Sequence, residues 1–392
     1  MITPAYSATA TERVLPRLAL DFTTGTLDPR VSVTRALNTA TRVNSSGFIE
    51  TVNANLPRFD YDPTTLVAKG LLIEEQRTNQ IIYSNDFRTT EEVGTTRDWV
   101  IAVGSSVVTT NYATSPDGTT NANLMSIPSN FYSGRQQNFT ATAGVAYTFS
   151  FWIKRLSGGT SGSLQIFGAG IISASTAFTS TANWQRITVT GTASATGLAG
   201  VYIYPDYTGS GSSEYLLYGA QLEVGAFPTS YVPTTTTSVT RNADVVSMTG
   251  TNFSDWYNAG SGAILARSRQ SVITGTRPSI YISDGTANNI ISLRGLAANP
   301  ELYIKATTDQ AQIDAGTLTA NSSFGLVGAW TTDNCAAAIN GGAAVTDTSA
   351  TIPTVDQMLI GSDGTNYLNG QVERISYWPQ RIINAEAQAF SK

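Results

Sequence analysis

The sequence predicts an all-β protein: two antiparallel β-sandwiches, a jelly roll and then a second sandwich, behind an irregular N-terminal region. Three observations predict it. Charged residues make up only 13% of the 392, about half the usual share, and Thr, Ser, Asn and Gly supply the surface polarity instead. Apolar and polar residues alternate over short runs separated by turn signals, the period of half-buried strands. The helical periods that parallel βα units need between strands are absent. At this length the chain exceeds one ordinary core, and the pattern divides it into 1–90, 91–233 and 240–392.

Residues 1–90 hold many Arg, Asp and Glu residues and several prolines, with extended pieces at 30–35, 47–52 and 70–74. They read as a docking region whose partner is the next domain, a sister subunit or a larger assembly. From Asp86 the alternation becomes regular. Tyr147, Phe149, Phe151 and Ile153 share one face of a strand, and Thr148, Ser150, Trp152 and Lys154 the other. Further strands at 164–167, 184–190 and 201–204 follow, with Ile187 and Val189 facing the core. A long closing strand, 214–224, places Leu216, Tyr218, Ala220, Leu222 and Val224 on one face before a Gly/Pro-marked exit. Short strands with turns at this spacing indicate a jelly roll.

Thr234 to Thr237 reads as an extended linker. The second sandwich then takes strands at 262–267, 279–283, 289–294, 301–305, 324–330, 334–339, 357–360 and 371–377. Asn340-Gly341-Gly342 signals a tight hairpin after 334–339, and Asp284-Gly285 and Asp363-Gly364 mark further turns. Asn384 is placed to cap a short helix through Phe390. No heptad pattern persists long enough to encode a coiled-coil shaft.

Composition excludes several function classes. There is no histidine, which removes Ser-His-Asp and Cys-His catalysis and the commonest zinc and iron sites. A net charge of −5 and a pI near 4.9, with no basic run, argue against a nucleic-acid partner. The single Cys335 excludes an internal disulfide framework and reads as a small buried hydrophobe. No apolar run reaches the roughly 18 residues of a membrane span. The N-terminus shows no charged-then-apolar secretory pattern, so synthesis and folding in a reducing cytosol are expected. No glycine loop opens a helix to cradle phosphate.

Two sets of residues carry resemblances. Cys335-Ala-Ala-Ala-Ile-Asn-Gly-Gly-Ala343, Met358-Leu-Ile-Gly-Ser362, Leu368-Asn-Gly-Gln-Val-Glu-Arg-Ile-Ser-Tyr377 and Asn384-Ala-Glu-Ala-Gln388 resemble the closing half of laminin-G/concanavalin-like sandwiches. Leu20-Asp-Phe22, Thr41-Arg-Val-Asn44, Pro57-Arg-Phe-Asp-Tyr-Asp62, Gly70-Leu-Leu-Ile-Glu-Glu75, Arg77-Thr-Asn79, Tyr218-Gly-Ala-Gln-Leu-Glu223 and Pro228-Thr-Ser-Tyr231 form the second set. It is similar to bacteriophage and prophage structural proteins, of tail or head fibres, that carry a carbohydrate-binding-module-like jelly roll. The resemblance implies a non-enzymatic component of the virion exterior, made in the bacterial host cytoplasm. It further implies partners among other virion proteins, homo-oligomers (a trimer for a fibre) and attachment to a host surface glycan. The alternative role is a capsid-decorating or head-fibre protein that makes mainly protein–protein contacts. Neither role calls for a cofactor.

The non-core positions of the middle domain form a candidate glycan patch: Trp152, Lys154, Trp184, Arg186, Tyr202, Tyr204, Tyr215, Gln221 and Glu223. Aromatic faces stack on sugar rings, while amides, carboxylates and Arg read hydroxyls. The same residue types are equally typical of packing at edges and interfaces, and both readings stay open at this level. No catalytic pair emerges. Glu74 and Glu75 point to opposite faces of a strand, and Glu214 and Glu223 differ in parity and lie a strand apart. Isolated Asp-Gly pairs at Asp117, Asp284 and Asp363 read as turns rather than calcium loops, so no metal site is expected.

Overall fold

The computed structural model describes residues 15–94, 98–128, 133–168, 172–209 and 211–392. The chain is all-β and forms two compact units, each built on two facing antiparallel sheets.

The first unit comprises Met1–Thr34, Ala68–Glu75 and Asp244–Lys392, its first fourteen residues lying outside the described set. One of its sheets runs Val345–Asp347, Asn334–Ile339, Ser323–Thr331, Ser261–Gln270, Gly370–Trp378, Ala68–Ile73. The other runs Ser32–Thr34, Val245–Thr249, Gln357–Ile360, Thr276–Ser283, Asn289–Leu296, Asn299–Ala306, Thr308–Asp314. All eight strands expected in 240–392 are present. The sheets pack closely because position 328 is glycine: a Cβ there would lie 2.8 Å from Leu293 and 2.9 Å from Leu302. Ile264, Leu326, Leu293 and Leu302 are fully or almost fully buried, each such side chain stabilising the fold by roughly 1.5–3 kcal/mol.

Strands from the first 90 residues are built into this unit, a placement that the expected docking region did not foresee. Leu18–Asp21 pairs with the Arg374–Tyr377 end of Gly370–Trp378, and Leu71–Ile73 pairs with its Gly370–Val372 end. Ser32–Thr34 likewise pairs with Val245–Ser247. Each covers what would otherwise be an open sheet edge. The expected turn at Asn340-Gly341 forms, both residues having positive φ (48° and 78°). The helix Asn384–Phe390 also forms, but Asn384 is its first residue rather than its cap. The Ile383 N–H instead donates to the Glu386 carboxylate at 3.0 Å.

The second unit comprises Arg35–Val67 and Gln76–Ala243. Its sandwich has ten strands among the described residues: β1 (Val100–Val103), β2 (Val107–Ala113), β3 (Ala122–Ile127), β4 (Ser133–Ala141), β5 (Ala146–Ser157), β6 (Ser161–Gly168), β7 (Ile172–Thr179), β8 (Gln185–Thr192), β9 (Gly197–Asp206) and β10 (Ser213–Val224). The front sheet runs β8-β5-β10-β3-β2 and the back sheet β7-β6-β9-β4-β1. Tyr147, Phe149, Phe151 and Ile153 of β5 face the core, as their alternation predicts, together with Leu164, Ile166, Val201 and Ile203 of the back sheet.

The closing strand departs from its predicted parity. Tyr215 and Leu217 point into the core and so do Ala220 and Leu222, so the inward set changes from odd to even. The cause is a bulge opposite Phe151, where Ser150 pairs with Gln221 but Trp152 pairs with Tyr218. Gly219 sits in it with φ +64°, a conformation that glycine adopts without a Cβ penalty. Leu216 and Tyr218 therefore share the outer face with Gln221 and Glu223.

Candidate functional site

Six of the nine predicted patch residues lie on the front sheet, a seventh just before one of its strands and two on the back sheet, so they do not make one platform. Trp152 and Lys154 lie on β5, Arg186 on β8, Trp184 just before it, and Tyr215, Gln221 and Glu223 on β10. Tyr202 and Tyr204 lie on β9.

On the front face, the chain that leaves β10 folds back over the outer surface, and the predicted residues hold it there. Gln221 accepts from the Val232 N–H at 2.6 Å and donates to the Ser230 carbonyl at 3.2 Å. Glu223 accepts from the Thr229 N–H at 3.0 Å and from the Thr229 hydroxyl. Arg186 donates to the Thr229 carbonyl at 2.7 Å and to Ser150 Oγ at 2.9 Å. Its guanidinium lies 4.4 Å from the centre of the Trp152 ring. Tyr231 meets the rings of Trp152 and Tyr218 at 5.6 and 5.4 Å. Gln221 and Glu223 are fully buried, with their polar atoms committed to this returning segment. Trp184 packs over Ala122, Leu124 and Leu216, and Lys154 is half-buried. Gln221, Glu223, Arg186 and Trp152 thus clamp the chain's own exit, while Trp184 and Lys154 take no part in it.

Tyr215 corrects the predicted set directly. The bulge turns it inward, it is fully buried, and its hydroxyl donates to the Gly159 carbonyl at 2.6 Å. Burial pushes its phenol up to about 12.

The back face is different. Tyr202 and Tyr204 head a row of rings that the sequence reading left incomplete. Phe167 lies 6.5 Å from Tyr202, Tyr202 6.1 Å from Tyr204, and Tyr204 5.6 Å from Tyr207, centre to centre. The Tyr202 and Tyr204 planes are within 10° of parallel. Phe167 is 47% exposed and Tyr207 49%, while Tyr204 is 8% exposed. Tyr204 lies low because its neighbour on β4 is Gly134, where a Cβ would come within 2.4 Å of the ring.

The register surrounds this row with neutral polar groups. Gln165 of β6 and Gln136 of β4 lie opposite Tyr202, and Ser163 lies opposite Tyr204. Phe167 and Asn138 flank Gly200, and Ser173 and Ser175 of β7 stand beside Phe167 and Gln165. Gln165 Nε2 donates to Ser163 Oγ at 3.0 Å. Phe167, Gln165, Gln136 and Asn138 were absent from the predicted set. The first two were within reach of it, since they alternate with the apolar Leu164 and Ile166. The others sit in Ser133–Ala141, where Arg and Gln mask the alternation.

The carboxylates and turns sit as follows. Glu223 is committed to Thr229 as described. Glu214 lies at the opposite end of β10 and lines a cavity of about 340 Å³ with Ser105, Ser126, Ser157 and Ser213, in which it is the one carboxylate among the described residues that line it. In the first unit, Glu75 accepts from Asn369 at 2.8 Å and lies 3.6 Å from Arg277. Asp117, Asp284 and Asp363 each accept backbone N–H groups two residues on, which is the hydrogen bond of an Asx turn. Among the described residues no group of three His, Cys, Asp or Glu side chains is placed to hold a metal ion. No helix among them is long and apolar enough to cross a membrane.

No family model matches the chain, and no curated protein matches it. Among solved structures it is similar to the CBM40 module of the Ruminococcus gnavus IT-sialidase bound to α2,3-sialyllactose. That likeness has 13% identity, covers 34% of this chain and 84% of that one, and has a TM-score of 0.31. It is also similar to the tandem CBM22 domain of Xyn10C from Paenibacillus barcinonensis, at 11% identity, 78% and 98% coverage and a TM-score of 0.27. Domains LG4-5 of the mouse laminin α1 chain are similar at 9% identity, 66% and 88% coverage and a TM-score of 0.23. These likenesses are too slight to bear on function.

Proposed function

We propose that this chain is a non-catalytic glycan-binding protein and that the outer face of its back sheet is the binding surface. The observation that carries the reading is the ring row Phe167–Tyr202–Tyr204–Tyr207, in which Phe167, Tyr202 and Tyr207 are accessible and Tyr204 lies buried between them, bordered by amides and hydroxyls. Rings provide flat apolar area for sugar C–H faces, and each amide both donates and accepts, as sugar hydroxyls do. The resemblance of the Tyr218-Gly-Ala-Gln-Leu-Glu223 and Pro57–Asp62 motifs to phage fibre proteins supports a further assignment. In it the chain is a virion-exterior component, in a tail fibre or receptor-binding assembly that attaches to host glycan.

The test is adsorption of the purified chain to a glycan array and to host cells, with Phe167→Ala/Tyr202→Ala as the comparison. Loss of adsorption with an unchanged melting temperature is expected; undiminished adsorption overturns the reading. Immunogold labelling of particles tests the virion assignment, and the solution mass of the chain tests the trimer.

A second reading, a capsid-decorating or head-fibre protein, is favoured by apolar exposure in 35–67. Leu37, Phe48, Leu56, Leu66 and Val67 are 57%, 41%, 50%, 47% and 63% exposed, and Leu37 and Leu66 hold left-handed φ values. Cross-linking of this segment to a capsid protein on intact particles tests it.

A further inference from the structure

We infer that the ligand of the back face is an uncharged oligosaccharide; this rests on reading that face as glycan-binding and names the class of glycan. The five strands β1, β4, β6, β7 and β9 contain two ionisable side chains of charged type, Arg135 and Asp206. Neither presents its charge outward. Arg135 is fully buried, with its guanidinium 2.8 Å from Glu92 and donating to the Ser106 carbonyl. Asp206 is fully buried and accepts from Ser213 Oγ, Thr208 Oγ1 and the Gly209 N–H, all near 3.0–3.1 Å.

The strands therefore offer a ligand phenyl and phenol rings, the amides of Gln136, Asn138 and Gln165, and the hydroxyls of Ser173 and Ser175. A uronate, sialate, sulfate or phosphate seated here would give up hydration without meeting a countercharge, which disfavours it. The chain's net charge of −5 adds a weak repulsion of anions. Neutral hydroxyls lose little, because each meets groups that both donate and accept. The three accessible rings Phe167, Tyr202 and Tyr207, joined in one row through the buried Tyr204, offer more than one stacking position, so an oligosaccharide gains over a monosaccharide.

The experiment measures binding of the full chain to neutral oligosaccharides (glucan, mannan and galactan fragments) and to acidic ones (sialylated, uronate-containing and sulfated). Each is measured at low and at high salt. Binding to a neutral member is expected, changing less than about twofold with salt. It should fall about tenfold or more in Tyr202→Ala, the equivalent of losing one good ring contact. Gln165→Ala, an exposed-face change that leaves the core untouched, should weaken it as well. Binding confined to acidic glycans, lost in Tyr202→Ala and falling with salt, overturns the inference while the glycan-binding face stands. Failure of the wild type to bind either class overturns that face and the inference together.

Discussion

The guanidinium of Arg186 lies 4.4 Å from the centre of the Trp152 ring and donates to the Thr229 carbonyl at 2.7 Å. Through Arg186, a residue of the front sheet grips the segment that follows β10, and Gln221 and Glu223 grip it from the same face.

Removing that grip is expected to cost stability rather than binding. Glu223→Ala leaves the buried Thr229 N–H without its acceptor, a loss of about 1–3 kcal/mol, or several degrees in melting temperature. Urea denaturation measures the first, and a glycan-binding titration measures whether the back face is unaffected. Stability unchanged and binding lost would place the functional face at the front instead.

Gly134→Ala puts a methyl where the Tyr204 ring lies, within 2.4 Å. The ring must tilt or the strand must shift, an overpacking change of about 1–3 kcal/mol. Because Tyr204 is the low ring of the row, ligand affinity should fall along with stability. Gly260→Ala is the control, since its backbone lies outside the left-handed region and only Asn258 Oδ1, at 4.0 Å, approaches an added Cβ.

Acid should weaken the turns built on Asp117 and Asp284. Burial works to raise Asp117, but hydrogen bonds from Ser115, Thr119 and Asn121 outweigh it and hold the carboxyl below its ordinary value. Asn289 and Thr286 likewise hold Asp284 low. A folded pKa below the unfolded one gives stability that is fully present above the unfolded value of 3.8 and lost as pH falls through the folded value. Unfolding midpoints followed downward from pH 5 should decline below about pH 4, and the decline should be shallower in Asp117→Asn.

Cys335 should be inert while the chain is folded. It is fully buried, its Sγ–H faces the Thr331 carbonyl at 3.7 Å, and burial pushes its thiol up to about 11. Both inaccessibility and a scarce thiolate slow alkylation. Maleimide labelling should be absent in buffer and complete in urea; rapid labelling of native protein would contradict the burial.

Much of the fold was legible from period alone. The inward face of β5, the strands of 240–392 and the Asn340-Gly341 hairpin follow from alternation and turn chemistry, which act over neighbouring residues. Ser133–Ala141 was not legible, because Ser133, Arg135 and Gln137 stand on its buried face, and Ile172–Thr179 was not, because Ala174 and Thr176 separate the two large apolar residues of its inward face, Ile172 and Phe178. The parity of β10 failed at one residue, Gly219, since a bulge inserts a position that no local pattern announces. The site was legible in kind but not in place. Tyr202 and Tyr204 were named, and Phe167 and Gln165 were within reach of the alternation, but Gln136 and Asn138 join them only through strand pairing.

By itself the sequence determined that the protein is all-β, lacks histidine chemistry and keeps one unreactive thiol. It also determined which faces of its regular strands are apolar, because those properties depend on composition and on spacing along the chain. Tertiary structure decided which aromatic face is covered and which is open. The two sheets carry similar residues outward, yet Thr229–Val232 returns over the front sheet and leaves Phe167, Tyr202 and Tyr207 accessible on the back one. Coverage depends on where distant segments pack, and residue spacing holds no record of that.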